Sequence, residues 1–145
     1  MKEKRYMNLA ITYAVLAMLF GVFYREFTKF NLYSGETTLS FIHTHYFMLG
    51  MVFFLVLMIL QRLYAFSNTK TTKAIIAYQV GLNITVVGFL LRGIPQVLGS
   101  ELSSAFNASI SGISGIGHII LGISLLMILW NVRNAVSKKT ILSLT

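Results

Sequence analysis

The chain has 145 residues, of which 56% are hydrophobic and only 11% charged, and its mean hydropathy is +0.74. A water-soluble domain of this length carries about a quarter of its residues as charges, so a soluble globular fold is excluded. There are no cysteines, which removes disulfides, thiolate metal sites and cysteine nucleophiles. The net charge of +8 comes from basic residues that flank apolar runs. That is how topology signals are distributed, and no nucleic-acid partner is expected.

A helix needs about 20 mostly apolar residues to cross the hydrocarbon of a bilayer. Four stretches qualify. The first, 7–23, follows "MKEKR" and ends in "VFYREF"; without a small-residue cleavage pattern it reads as a retained span and not as a signal peptide. The second covers 39–60. The third, 74–98, holds the only proline, Pro95, which predicts a kink or a helix end there. The fourth covers 106–132. The fold class is therefore all-α: an integral membrane four-helix bundle, with 1–145 forming a single transmembrane domain. One side collects Lys2, Lys4, Arg5, Arg62, Lys70, Lys73, Arg133, Lys138 and Lys139, and the other only Arg25, Lys29 and Arg92. That asymmetry predicts cytoplasmic N and C termini.

Two of the three histidines, His43 and His45, stand one residue apart in "FIHTHYFMLG". On an α-helix such a pair points about 200° apart, so the two do not readily share one metal ion. One looks into the bundle while the other faces a second cofactor, a partner subunit or the outer interface. Ionisable side chains at membrane depth are functional candidates by default. The third histidine, His118, lies in "SISGISGIGHIILG". His45 is 17 residues from Arg62 and His118 is 15 from Arg133, so at 1.5 Å per residue they differ in depth by only about 3 Å. The two imidazoles meet if spans two and four face each other.

Ser111, Ser114, Gly115 and Gly122 lie at −7, −4, −3 and +4 from His118, on its own face. Ser111-x-x-x-Gly115 is also a small-xxx-small helix-packing pattern. With His45 at matching depth, the stripe reads as a slot for a flat ring: a porphyrin needs one imidazole from each of two helices and small residues beside its edges. Heme propionates seek cations, and Arg92 or Arg25 at the outer level offers a bidentate partner. Arg25, beside Glu26, reads as a snorkelling side chain. Gln79, Asn83 and Thr85 are expected to hydrogen-bond between helices. Met48, Met51 and Met58 read as core filler, and the Phe and Tyr residues as lipid-facing and interfacial belts.

"HTHYFMLGMVFF" resembles the histidine-x-histidine helix of subunit I of the heme-copper oxidases. That resemblance implies His45 as a low-spin heme ligand and His43 as a high-spin heme ligand. It covers about a dozen residues, and with only three histidines in the chain no three-histidine copper site is available. No oxygen-reducing heme–copper site is therefore expected, and no catalytic residue set is read. Over nearly the whole chain, "GVFYREFTKFN", "IHTHYFMLGM", "LLRGIPQVLG" and "ISGISGIGHIIL" resemble a bacterial family of small four-helix membrane proteins of unknown function. The resemblance implies the fold and a place in the bacterial inner (cytoplasmic) membrane, and no activity.

The leading expectation is a membrane b-type heme protein acting in electron transfer or heme sensing, with His45 and His118 as axial ligands. His43 would serve a second heme or face a neighbouring subunit. One alternative is a small proton or metal-ion transporter or channel with titrating histidines, copper being the metal variant. Another is a non-catalytic assembly subunit. The expected partners are the lipid bilayer, with a homo-oligomer or a respiratory-chain protein left open.

Overall fold

The computed structural model describes residues 2–142. Helix α1 is Lys2–Phe30. A second rod begins as α2, Ser40–His45, widens into a π-helical segment, Tyr46–Val52, and continues as α3, Phe53–Tyr64. Helix α4 is Thr69–Leu98 and α5 is Ser104–Leu142. Four helices are thus long and apolar enough to cross a membrane: Lys2–Phe30, Ser40–Tyr64, Thr69–Leu98 and Ser104–Lys139. No strand occurs among the described residues.

Each helix outruns its apolar window. Hydropathy marks the hydrocarbon, whereas backbone hydrogen bonding continues into the headgroup region. Helix α4 starts five residues before 74 because Asn68 caps it, its side chain accepting from the Thr71 N–H at 2.9 Å. It runs three residues past Pro95 and stops at Gly99, whose φ of 65° is left-handed. Lys2 donates to the Ser67 carbonyl at 2.6 Å and Lys139 to the Leu63 carbonyl at 2.9 Å. Both contacts bring the two chain ends to the α3–α4 connection, at one end of the bundle.

The distribution of side chains is inverted relative to a soluble protein. Val22, Ile119, Leu126 and Trp130 are each more than 60% exposed, while Gln61, Thr71 and Thr85 are buried. Apolar surface on this scale is what a bilayer covers. The chain is a multi-pass membrane four-helix bundle.

Lipid offers helices no hydrophobic incentive to associate, so close van der Waals fit has to do it. The α4–α5 pair shows how. A Cβ on Gly81 would sit 2.6 Å from the Leu121 nitrogen, and one on Gly117 would sit 2.7 Å from Thr85 Oγ1. Gly88 lies against the Ser114 side chain. Three glycines let the two backbones approach, in a Gly81/Thr85/Gly88 row facing Ser114/Gly117/Leu121. The Ser111-x-x-x-Gly115 pattern does not contribute: Gly112, Gly115 and Gly122 have open space where a Cβ would stand.

The other hairpin packs through aromatics. Tyr6 stacks on Phe66 and Phe54, Phe54 on Tyr13, and Tyr13 leans on Tyr46. These rings are buried, which corrects the expectation that they serve lipid contact and interfacial belts. Gly50 in the π-helical segment has the Tyr13 side chain where its own Cβ would be.

Gly81→Leu or Gly117→Leu should cost about 1–3 kcal/mol or more through overpacking. Gly115→Leu, facing open space, should leave stability unchanged. Thermal unfolding of the detergent-solubilised variants followed by circular dichroism distinguishes the two cases.

Candidate functional site

The segment before α2 sets where its histidines stand. Thr37 donates to the Gly93 carbonyl at 3.1 Å and Thr38 to the Phe89 carbonyl at 2.8 Å, while the Thr38 N–H donates to Gln96 at 3.0 Å. Gly93 leaves room for Leu39. This staple fixes the start of α2 against the C-terminal end of α4. Helix α2 is a regular α-helix as far as His45, so His43 and His45 diverge as their spacing requires.

His43 turns toward α1. Its ring lies parallel to Tyr24, centroids 6.4 Å apart and planes 13° apart, and its Cβ lies near Gly21. Its Nδ1 is buried with no hydrogen-bond partner. His45 turns the other way, onto the edge of Phe89 at 4.9 Å between centroids. His118 of α5 reaches the same place: its ring centroid is 6.3 Å from that of His45, with planes at 89°. Phe89 also touches His118, at 6.1 Å. Two imidazoles from different spans therefore stand at one level.

Their protonation is constrained by their own helices. His45 Nδ1 bonds to the Phe41 carbonyl and His118 Nδ1 to the Ser114 carbonyl, each at 2.8 Å. A carbonyl only accepts, so both Nδ1 atoms carry the proton and Nε2 is the free nitrogen of each ring. Tying one ring nitrogen to a carbonyl is the usual arrangement behind a metal-ligating imidazole. It also orients each ring. His43 lacks that tie.

The remaining candidates divide. Gly115 and Gly122 flank His118 on the open stripe of α5. Ser114 contributes its carbonyl to His118, but its hydroxyl side is pressed against Gly88 in the α4–α5 seam. Ser114 therefore supports the histidine and does not border an open slot. Arg92 is half-buried and donates to Ser111 Oγ at 2.7 Å, about two turns above His118 on the same stripe. Arg25 is exposed beside Glu26, 3.7 Å away. Phe89, which touches both histidines, carried no role in the sequence reading. The available signal was its place one turn from Arg92 on the same face of α4.

Of the three polar residues expected to bond between helices, only Asn83 does so. It accepts from Tyr46 at 2.9 Å and donates to Tyr13 at 3.3 Å. Gln79 bonds within its own helix, to Ile75, and the buried Thr85 hydroxyl has no partner. Tyr78 donates to the Leu49 carbonyl in the π-helical segment at 2.8 Å. Among the described residues no three His, Asp or Glu side chains converge on one point.

A family model described as "Protein of unknown function (DUF2871)" matches residues 3–135. No curated protein and no solved structure matches the chain.

Two-dimensional ¹⁵N–¹H spectra of the metal-free protein at neutral pH should show His45 and His118 as the Nδ1–H tautomer, each with an unprotonated Nε2. An Nε2–H pattern for either would contradict the carbonyl bonds.

Proposed function

The chain belongs to this family of unknown function, and from that premise we propose that it is a membrane b-type heme protein serving electron transfer or heme sensing. Its axial ligands would be His45 and His118. One observation carries the reading: two imidazoles on separate spans, 6.3 Å between centroids, each with Nε2 left free by a bond from Nδ1 to its own helix. The Nε2 atoms of these two rings would be the nitrogens that hold the iron. The open glycines Gly115 and Gly122 support it, because they leave the flank of His118 uncovered on the side away from α4. Phe89 borders the bundle side of the same gap.

Each residue then has a task. The Phe41 and Ser114 carbonyls would hold the imidazoles in the ligating tautomer. Arg92, with Ser111 as its neighbour, supplies a cation above the stripe for a propionate. A heme held in this way supplies a one-electron iron couple. Two histidine ligands leave no open coordination position, which suits electron carriage over oxygen chemistry. A copper site has less support, since His43 and His45 face opposite helices. The basic residues at the end where Lys2 and Lys139 meet the α3–α4 connection favour a cytoplasmic location for that end, in a bacterial inner membrane. A respiratory-chain protein would exchange the electron with it, and assembly into a homo-oligomer is the other partnership proposed.

Protein expressed with ample heme and purified in detergent should be coloured, with a Soret band. His45→Ala and His118→Ala should each remove it, and His43→Ala should not. Gly115→Leu should lose most of the bound heme, because it fills the open flank, while its heme-free form melts at the temperature of heme-free wild type. Colourless wild-type protein would overturn the reading.

A further inference from the structure

The end of the bundle where Lys2 and Lys139 meet the α3–α4 connection holds a cavity of about 900 Å³ between that connection and the last turns of α5. Its walls include Asn68, Lys70, Asn131, Asn134, Lys138 and Lys139. We propose that this cavity is a headgroup site for an anionic phospholipid, with Lys70 and Lys138 on the phosphate. The proposal is independent of the heme reading, because no residue is shared.

The walls are held in place by bonds that leave the cavity open. Ala65 ends α3 in a left-handed conformation, its N–H bonding to the Gln61 carbonyl at 2.9 Å. The buried Gln61 side chain accepts from the Ser67 N–H at 3.0 Å. Ser67 in turn meets the Tyr6 hydroxyl and takes Lys2 on its carbonyl. Lys139 is committed to the Leu63 carbonyl and lies over the Tyr64 ring. Lys70 and Lys138 are exposed, and among the described residues neither has a carboxylate partner. Three of the four acidic residues, Glu26, Glu36 and Glu101, belong to the opposite end, leaving Glu3. Asn68 and Asn131 bond to one another across the wall, and unneutralised lysines beside the Asn134 amide are a phosphate-binding chemistry.

Depth selects the source of the phosphate. Trp130, the only tryptophan, is 61% exposed one residue before Asn131, and Arg133 lies over its ring at 4.9 Å. An exposed Trp paired with a cation marks the boundary between hydrocarbon and headgroups. The cavity therefore lies at headgroup level. Apolar stripes run from it along the same helix faces toward mid-membrane: Leu63, Ile59 and Val56 on α3, and Met127 and Ile123 below Asn131 on α5, all exposed. A ligand with an anionic head and acyl tails fits a cationic cavity continuous with such stripes, as basic pockets between membrane helices do for anionic lipids. A free phosphate would use the head of the site only.

The test uses full-length protein exchanged into nanodiscs of equimolar phosphatidylcholine and phosphatidylglycerol. After extraction into mild detergent, retained lipid is read by native mass spectrometry. Wild-type protein should retain one phosphatidylglycerol per chain in preference to phosphatidylcholine. The Lys70→Gln/Lys138→Gln double variant should lose that preference while melting at the wild-type temperature, and Lys4→Gln on α1 should keep it. Equal retention of both lipids by wild type, or an unchanged preference in the double variant, would overturn the proposal. So would displacement of the lipid by inorganic phosphate at millimolar concentration, which would assign the site to the free anion.

Discussion

The near-contact of backbones at Gly81, Gly88 and Gly117 is the constraint from which the arrangement of this bundle follows. In a bilayer, side chains gain nothing by leaving lipid for the protein interior, so association depends on fit and on polar groups that need partners. Helices α4 and α5 approach closely enough that a Cβ at Gly81 or Gly117 would overlap the other helix. That approach fixes the rotation of α5. With Ser114, Gly117 and Leu121 in the seam, His118 falls beside the seam and reaches Phe89. A looser crossing would leave the His118–His45 distance undetermined.

The two halves of the bundle are then joined by a few hydrogen bonds. Tyr46, Asn83 and Tyr13 link three spans, and Tyr78 reaches the Leu49 carbonyl. Thr37 and Thr38 bind α4 near its C-terminal end. Interhelical bonds of this kind contribute about 0.6 kcal/mol each on average, so their value lies in selecting one register. They act at three heights along the rods, which keeps α2 from sliding or turning relative to α4. The positions of His45 and Phe89 inherit that restraint.

Much of this was legible in the residues. Apolar run length marked four spans, and counting from Arg62 and Arg133 placed His45 and His118 at one depth. The 200° divergence of His43 and His45 followed from helix geometry alone. Periodicity reveals which residues share a face but not which neighbour meets it. For that reason Ser114 could be placed beside His118 without revealing that its side chain enters the α4–α5 seam, and the buried aromatic column from Phe66 to Tyr46 could be taken for a lipid-facing belt. Membrane sequences blur this further, since apolar residues cover both the inside and the outside of the bundle. The π-helical turn left no mark in the local pattern; the contacts it makes, the Tyr13 ring at Gly50 and the Tyr78 hydroxyl at Leu49, come from other helices.

That wide turn separates two jobs within one rod. Each residue beyond the α-helical repeat shifts everything after it by about 100° of phase. Above it, the rod turns His43 toward α1 and His45 toward Phe89; below it, the rod buries Phe54 and Leu57. A single uninterrupted helix would tie these two azimuths together, so that any substitution retuning the lower seam would swing the histidines as well. With slack wound into its midpoint, the rod lets the upper and lower halves be adjusted separately.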